Sequence, residues 1–200
     1  MRILIALSGK LGSGKDYVAS HLIIPEICKK YRYLHCSFAD QLKINVMTKH
    51  SIEYKELYEE KSHSTRKLLQ TEGTEIARSQ DPNIWIKYLD NWIQVHNSRG
   101  VEVFIVTDLR FSNELDYVKN FKEFGISIRV KSKTRNHSRL LQESGGDEKI
   151  YDTLKNHRSE CDLDDREQDF DMVIDNDGED LFRYSEIFRD LIKRKIRCLN

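Results

Sequence analysis

Five short apolar runs along the chain have the composition of buried β-strands. They are rich in Ile, Val and aromatic residues, and most lack the strict apolar–polar alternation of half-exposed strands. Strands buried on both faces are typical of parallel sheets, because helices cover such sheets from both sides. The predicted strands are residues 3–7, 33–38, 101–107, 126–130 and 170–174.

Segments with helical periodicity alternate with these strands. Residues 82–95 place Trp85, Leu89 and Trp92 on one face of a helix. Asp81 followed by Pro82 predicts the N-cap and the first position of that helix. The other predicted helices are 15–30, with an interruption at Pro25, 64–78, 112–124, with a capping serine at its start and Gly125 as its terminator, and 179–196.

Alternating strands and helices predict an α/β fold, with one parallel sheet between two layers of helices. Two hundred residues is the length of one domain, so we expect residues 1–200 to form a single unit. Residues 131–169 depart from the alternation, because they are long, polar and dense in charge. Two interpretations remain for this segment: a lid over an active site, or a disordered surface insertion.

Composition and charge exclude several classes of function. Lys plus Arg and Asp plus Glu both number 33, so we expect no general basic surface for nucleic acid. No run approaches the roughly 18 apolar residues of a membrane span, and residues 1–7 do not have the features of a signal peptide. Isolated cysteines indicate reduced thiols and a cytoplasmic location; they are Cys28, Cys36, Cys161 and Cys198.

The first strand leads directly into a glycine-rich segment with the spacing G-x-x-x-x-G-K. Glycines in this arrangement let backbone N–H groups surround phosphate oxygens, and the N-terminus of the following helix adds a positive dipole end. The lysine reaches the phosphoryl group that is transferred. The candidate phosphate-binding residues are Gly9, Lys10, Gly12, Ser13, Gly14 and Lys15.

Two carboxylates are candidates for binding magnesium near this phosphate loop. Asp16 occupies the position where most such loops have Ser or Thr, so it binds the metal directly, binds it through water, or caps the helix. Asp108 follows the third strand, at the sheet edge where ligands bind in open α/β folds. Arg110 either binds a phosphate there or forms a surface salt bridge. The candidate catalytic residues are therefore Lys15, Asp108 and Arg110.

Two absences in the sequence narrow the class of phosphate-loop protein. There is no N-K-x-D element for reading guanine, and 200 residues leave no room for the additional domains of motor ATPases. These features favour a small-molecule kinase. A module that binds nucleotide without transferring phosphate is the rival, but the three candidate catalytic residues are all where catalysis would need them.

Residues 8–16, Ser-Gly-Lys-Leu-Gly-Ser-Gly-Lys-Asp, resemble the S-G-x-x-x-S-G-K-D loop of deoxynucleoside monophosphate kinases from phages and large viruses. The same loop occurs in animal-type phosphomevalonate kinases. The L-L-Q-x-x-G-T-E block at 68–75 and the I-W-I block at 84–86 favour the deoxynucleotide kinases, whereas 159–164 also resemble the phosphomevalonate branch. Further similar blocks are 38–40, 66–70, 107–114, 157–160 and 170–178.

The resemblance implies a three-layer P-loop kinase fold, with a five-stranded parallel sheet and a mobile polar lid. It implies ATP and Mg²⁺ as cofactors, and transfer of the γ-phosphoryl group to a deoxynucleoside 5′-monophosphate, in the host cytoplasm if the protein is viral. Asn176 is implied as a cofactor-binding residue. The alternative is a phosphomevalonate kinase or another small-molecule kinase on the same scaffold.

The sequence also contains candidate residues for binding the acceptor and for the lid. Arg66 and Gln70 lie four residues apart, hence on one helical face, where they would contact a substrate phosphate or a base edge. Trp85 either stacks on a base or belongs to the core face of its helix. Lys10 and Arg110 supply positive charge for two phosphate chains. The candidate lid residues are Arg135, His157 and Glu160.

The expected partners are small molecules, the monophosphate and ATP, with neither nucleic acid nor membrane. The basic run 193–197 either caps the last helix electrostatically or forms a partner surface. If the run forms a partner surface, the partner could be a second copy of this chain, so a homodimer is an alternative to a monomer.

Overall fold

A five-stranded parallel sheet forms the centre of the computed structural model, which describes residues 2–59, 62–178 and 181–197. The strands are β1 (Ile3–Ser8), β2 (Tyr33–Cys36), β3 (Val103–Leu109), β4 (Phe124–Lys131) and β5 (Met172–Asp175). Their order is β2-β3-β1-β4-β5, and every neighbouring pair is parallel. The predicted α/β fold and its five strands are confirmed, with shifted strand ends.

Helices cover both faces of the sheet. Two of them contain a π-helical turn: α1 (15–27) runs through Lys15–Val18, Ala19–Ile23 and Ile24–Ile27, and α4 (63–80) runs through His63–Gln70, Thr71–Ala77 and Arg78–Gln80. The others are α2 (Asp40–His50), α3 (Tyr54–Tyr58), α5 (Ile84–Ser98), α6 (Ser112–Lys119), α7 (Lys133–Ser144), α8 (Glu148–Asn156), α9 (Arg158–Cys161) and α10 (Phe182–Arg197).

The core has two layers, one on each face of the sheet. Alternate residues of β1 point to opposite faces, so Ile5 packs with α1 and α10, whereas Leu4 packs with α2, α5 and α6. All of β1 is buried, because strands flank it on both sides and helices cover both faces. This burial explains why the first strand lacks polar alternation. No helix in the described ranges is both long and apolar enough to cross a membrane.

Each π-helical turn contains, or lies next to, a residue that is unusual inside an α-helix. In α1 the turn Ala19–Ile23 lies immediately before the segment that contains Pro25, so the helix continues through the proline that the sequence predicts as an interruption. In α4 the turn contains Gly73, where a Cβ atom would lie 2.4 Å from Cδ2 of Leu42. Glycine at this position therefore allows α4 to approach α2 closely.

The predicted start of α5 is wrong by two residues. The helix begins at Ile84 with Asn83 at the N-cap, not at Pro82 after Asp81. The Asp81 carboxylate instead accepts from the backbone N–H of Asn83 at 3.0 Å, and the Asp81 carbonyl accepts from Ile84 at 3.1 Å. Asp81 therefore stabilises a turn that precedes the helix.

Both predicted ends of α6 are also corrected. Ser112 is the first helical residue rather than the cap, and Glu114 accepts from the backbone N–H of Phe111. The helix ends at Lys119, well before Gly125, which is the second residue of β4. A Cβ atom on Gly125 would lie 1.8 Å from the carbonyl oxygen of Val118. Glycine is required there for helix–strand contact, and not for a left-handed helix terminus.

The segment 131–169 is folded, so its interpretation as a disordered insertion is wrong. It forms α7, α8, α9 and the 3-10 turn Asp164–Asp169. Ser132 accepts from the backbone N–H of Arg135 at 3.3 Å, and Asp177 accepts from that of Lys133 at 2.6 Å, so two side chains cap α7. We call α7, α8 and α9 the lid; its opening and closing stay a prediction.

The last helix, α10, begins at Phe182, and residues 179–180 of its predicted start lie outside the described residues, as does Cys198. Lys195, in the basic run 193–197, donates to the carbonyl of Gly125 at 2.7 Å and lies 2.6 Å from Asp171. This lysine therefore ties α10 to the sheet of its own chain.

Candidate active site

The phosphate loop connects the carboxyl end of β1 to the start of α1. Gly14 has φ 82°, and a Cβ atom there would lie 2.4 Å from Nδ2 of Asn176. At Gly12, with φ 77°, a Cβ atom would lie 2.6 Å from Cβ of Arg139 in α7. The loop is therefore enclosed by β5 on one side and by the lid on the other, and only glycine fits at both positions.

Lys15 is a buried cation, and none of the described carboxylates is paired with it. Its Nζ donates to the carbonyls of Gly9, at 2.7 Å, and Lys10, at 3.2 Å. Burial, and then the nearby charge of Arg110, lower the pKa of Lys15 to about 8. The Ser13 hydroxyl is also buried, and within the described residues it has no hydrogen-bond partner. The Lys15 ammonium, which no described carboxylate neutralises, and the unsatisfied Ser13 hydroxyl lie in the glycine-rich loop. Such a cation and such a donor suit the phosphates of a nucleotide.

Asn176 supports the phosphate loop from behind. Its Nδ2 donates to the carbonyl of Ser13 at 2.9 Å, and the side chain is buried. The residue implied as cofactor-binding thus contacts the loop itself. The sequence contains no periodic signal for this contact, which depends on β5 lying beside β4.

Asp16 lies at the start of α1, and its carboxylate faces the end of β3. Thr107 donates to its Oδ1 at 2.6 Å, and the His35 ring lies 3.2 Å from the same hydroxyl. The carboxylate does not cap the helix, since no side-chain hydrogen bond caps α1. Its oxygens suit a hydrated Mg²⁺, for which carboxylates and hydroxyls are usual ligands. Among the described residues, no three His, Cys, Asp or Glu side chains form a ready metal site.

Asp108 holds the loop that follows β2. Its carboxylate accepts from the backbone N–H groups of Phe38 at 2.9 Å and Ala39 at 3.0 Å, and from the Ser37 hydroxyl. These three donors use most of its acceptor capacity. Asp108 lies at the predicted sheet edge, but in this structure it binds protein.

Arg110 and Glu160 form an ion pair between the end of β3 and the lid. The other oxygen of Glu160 accepts from the backbone N–H of Leu11, in the phosphate loop, at 2.7 Å. Burial opposes ionisation of Glu160, but Arg110 and Lys15 outweigh it and hold its pKa below the usual range. A lid carboxylate thus contacts an amide of the phosphate loop.

A cleft of about 930 Å³ opens beside the phosphate loop, between the end of β3, α4 and the lid. The structure brings ten of the predicted residues to its walls: Gly12, Gly14, Lys15, Asp16, Arg66, Gln70, Trp85, Asp108, Arg110 and Glu160. A second cleft of about 580 Å³, on the outer side of α1, is lined by Arg135 and Asn176.

Four predicted residues line neither cleft: Gly9 and Ser13, which belong to the phosphate loop, and Lys10 and His157. Lys10 pairs with Asp164 at 2.7 Å, outside the larger cleft, and Asp164 also accepts from Arg129 at 3.1 Å. His157 is the N-cap of α9 and accepts from the backbone N–H of Ser159 at 3.2 Å. Burial lowers the pKa of His157, which favours the neutral ring that this cap requires.

The predicted acceptor residues differ in how they are held. Arg66 pairs with Glu143 of the lid at 2.9 Å. Within the described residues, the side-chain amide of Gln70 has no hydrogen-bond partner. Trp85 is buried and donates from Nε1 to the carbonyl of Gly73 at 2.9 Å, so it is a core residue that also contributes to the cleft wall.

Further residues of the cleft were missed by sequence reasoning. Arg78 continues the four-residue spacing of Arg66, Gln70 and Thr74, and all four line the cleft. That spacing could have identified Arg78. Other cleft residues that were not predicted include Asp40, Lys43, Tyr54, Tyr58 and Glu114.

A protein-family model described as phosphomevalonate kinase matches residues 7–124, which is more than half of the chain. A search of curated protein sequences finds no significant match. Among solved structures, an uncharacterised protein from Eubacterium ventriosum is 14% identical, with a TM-score of 0.52, and the match covers 97% of this chain and 99% of that one.

Shikimate kinase from Bacteroides thetaiotaomicron is 12% identical, with a TM-score of 0.50, and the match covers 96% of this chain and 98% of that one. A Thermus thermophilus protein is 18% identical, with a TM-score of 0.50, covering 96% and 97%. These similarities show the P-loop kinase fold. The family model spans the phosphate loop, α4 and the end of β3, which line the larger cleft together with the lid; the lid lies outside the matched residues. This small-molecule P-loop kinase therefore belongs to the phosphomevalonate kinase family.

Proposed function

We propose that the protein transfers the γ-phosphoryl group of ATP, with Mg²⁺, to a deoxynucleoside 5′-monophosphate. The observation that carries the proposal is the composition of the larger cleft. One end has Lys15 and Arg110, and the walls add aromatic rings and the side-chain amide of Gln70. A nucleotide acceptor needs cations for its phosphate, a ring to stack on its base and a polar group for the base edge.

The phosphate loop is suited to ATP. Gly12 and Gly14 allow the backbone to approach phosphates, and the Lys15 ammonium is paired with no carboxylate among the residues that the structure describes. We assign magnesium binding to Asp16, whose carboxylate faces Thr107 at the end of β3. When bound, Mg²⁺ supplies charge neutralisation between phosphates.

The smaller cleft is suited to the base of ATP. It lies on the outer side of α1, next to the phosphate loop, and the Tyr17 and His21 rings there are stacked at 4.0 Å. Arg135 of the lid lines the same cleft. The donor and the acceptor would then approach the phosphate loop from opposite sides, as in-line transfer requires.

The chain's own part in the transfer is electrostatic. A monophosphate oxygen is already ionised at neutral pH, so no general base is needed to activate it. Lys15 and Arg110 stabilise negative charge on the transferring group, and the lid excludes water that would otherwise accept the phosphoryl group. If the lid no longer excluded water, the enzyme would hydrolyse ATP without phosphorylating the acceptor.

Phosphomevalonate is the second candidate acceptor, because the family model carries that description. It is aliphatic, so it would use neither a stacking ring nor the Gln70 amide. Tyr54 and Tyr58, whose rings are stacked at 4.5 Å, line the cleft and favour the nucleotide. A site that hydrogen-bonds one substrate rejects an analogue lacking those groups by large factors.

The test is a comparison of kcat/KM for four deoxynucleoside monophosphates, their ribonucleotides and phosphomevalonate, with ATP and magnesium. We expect the deoxynucleotides to be preferred. Gln70→Leu should change the ranking among bases, whereas Arg66→Ala should weaken all monophosphates alike. If phosphomevalonate is the best acceptor, the nucleotide proposal is wrong. Nucleotide binding without transfer to any acceptor would instead support a non-catalytic module.

A further inference from the structure

Asp40 is a carboxylate on the wall of the larger cleft, and it is the first residue of α2. Its Oδ1 accepts from the Tyr58 hydroxyl at 3.3 Å and from Nζ of Lys43 at 3.4 Å. Within the described part of the chain, its Oδ2 has no hydrogen-bond partner. No role in binding the acceptor has been assigned to Asp40.

Two neighbours hold the Asp40 carboxylate in position. Lys43 lies one turn further along α2, where its Nζ is 4.2 Å from the centre of the Tyr58 ring and its side chain is only 11% exposed. Tyr58 in turn stacks on Tyr54 within α3. The N-terminus of α2 also favours a negative charge. A carboxylate whose position is fixed in this way can select a ligand group by geometry.

The Oδ2 oxygen of Asp40 suits a neutral hydrogen-bond donor of the ligand. An ionised carboxylate only accepts hydrogen bonds, and it repels a phosphate oxygen. Burial raises the pKa of Asp40 in spite of the nearby charge of Lys43, which shows that the carboxylate has lost part of its solvation. A hydroxyl that donates to Oδ2 would replace that solvation.

The place of Asp40 in the cleft favours the sugar of a nucleotide acceptor over its base. Residues 37–39, which directly precede Asp40, all donate to Asp108 at the end of β3. Asp40 therefore lies next to the sheet edge, whereas Gln70, the candidate for the base edge, lies on α4. The sugar connects the phosphate to the base, and a 2′-deoxynucleotide has one free sugar hydroxyl, at the 3′ position.

We propose that the Asp40 carboxylate accepts a hydrogen bond from a hydroxyl of the acceptor, which in a deoxynucleotide is the 3′-hydroxyl, and that Tyr58 is the positioning residue for this carboxylate. The inference rests on the proposed function only in requiring an acceptor with a hydroxyl. Phosphomevalonate also has one, a tertiary hydroxyl, so the experiment includes both sources.

The experiment measures how much the acceptor's hydroxyl contributes to binding. Isothermal titration compares dTMP with 2′,3′-dideoxythymidine monophosphate, and phosphomevalonate with the analogue in which hydrogen replaces the tertiary hydroxyl. The ratio of the two dissociation constants in each pair is the hydroxyl increment. Both members of a pair carry the same phosphate, so the contacts of that phosphate cancel in the ratio.

The variants are Asp40→Asn, Asp40→Glu and Tyr58→Phe. Matched controls are Asp90→Asn and Tyr117→Phe, because Tyr117 donates to Asp90 at 2.9 Å in a pair of the same kind, between α5 and α6 and away from the cleft. Both controls should keep the wild-type increment.

Asp40→Asn should reduce the hydroxyl increment by about 10- to 150-fold, which is the usual effect of one hydrogen bond to a charged group. The asparagine oxygen would accept from Tyr58 and Lys43, which leaves an NH₂ group that cannot accept from the hydroxyl. Tyr58→Phe should reduce the increment by a smaller factor, because the carboxylate remains but is less well oriented. Affinity for the dideoxynucleotide and KM for ATP should not change.

Asp40→Glu separates recognition of a hydroxyl from a structural role. It keeps the negative charge at the start of α2 and beside Lys43, so the fold should persist even if Asp40→Asn does not fold. Its longer side chain moves the carboxylate, so the hydroxyl increment should still fall. A charge that only stabilises the helix would tolerate this change.

An unchanged increment in folded Asp40→Asn or Asp40→Glu, or an equal loss for ligands with and without the hydroxyl, would overturn the inference. A change in the ranking among bases with the increment preserved would also overturn it, because Asp40 would then bind the base. Failure of the nucleotide proposal is a separate outcome: phosphomevalonate would be the preferred acceptor, and the increment would appear in its pair and not in the dTMP pair.

Discussion

Lys15, the candidate catalytic cation, is buried, and burying its charge has a cost in stability. Its ammonium is buried and donates to two backbone carbonyls. Lys15→Met should therefore lower kcat by about 100-fold or more, because the charge that stabilises the transferring group is lost. A folded variant with near-normal turnover would refute the assignment of this loop.

The same substitution should stabilise the free protein at neutral pH. The pKa of Lys15 falls from 10.5 to about 8 on folding, so the native state binds fewer protons between those values. Burial of the charge thus costs stability below pH 8, and this cost is relieved as the pH rises towards 10.5.

We expect Lys15→Met to raise the free energy of unfolding by about 1–3 kcal/mol at pH 7, after loss of the two hydrogen bonds. Urea titrations at pH 7 and pH 10 measure the effect. The increase in the free energy of unfolding should be smaller at pH 10 than at pH 7. An equal increase at both pH values would show that the charge of Lys15 is not its cause.

At the scale of elements, the contact between the lid and the phosphate loop predicts competition with nucleotide. Glu160 accepts from the Leu11 amide and pairs with Arg110. A phosphate that takes the Leu11 amide must displace this carboxylate. Glu160→Gln weakens both contacts, so it should increase the affinity for ATP several-fold.

Equilibrium dialysis with ATP measures this change, and Asp152→Asn is the matched control, because Asp152 is an exposed acid on α8 of the same lid. Weaker ATP binding by Glu160→Gln would show that the carboxylate supports the nucleotide site rather than competing for it.

The approach of α6 to β4 gives a prediction about packing. A Cβ atom at Gly125 would meet the Val118 carbonyl at 1.8 Å, and backbone cannot yield as a flexible side chain does. Gly125→Ala should lower the free energy of unfolding by about 2–3 kcal/mol. Gly146→Asn, at a lid turn with φ 86° and nothing within 4 Å, should change it by less than about 1 kcal/mol. Equal effects in urea unfolding would contradict the clash.

At the scale of the molecule, the two core layers share one sheet, whose strands contribute side chains to both. Phe104 is fully buried on the face of α2 and α5, and Phe188 is fully buried on the face of α1 and α10. Phe104→Ala and Phe188→Ala should each cost about 3–5 kcal/mol. Because the strands belong to both layers, both variants should unfold in one transition with an unchanged m-value. Separate transitions in denaturant would show that the layers unfold independently.

Sequence alone determined the strands, the phosphate loop and the class of fold. The loop is read from local spacing, since glycines and a lysine at fixed offsets between a strand and a helix leave few other structures. The strands are read from continuous apolar composition, which burial on both faces requires. The 66, 70 and 74 spacing on α4 also contained the signal for Arg78.

Only the tertiary structure decided which polar groups meet. Asn176 reaches the phosphate loop, Glu160 reaches Leu11, and Asp108 is occupied by the loop after β2, and each contact joins residues distant in sequence. Gly125 could be read as a helix terminator because its local signal is the same as that of a glycine needed for close packing. Spacing along the chain specifies elements and local loops. Pairing between side chains depends on the strand order and on the placement of the lid, which are set by packing of the whole chain.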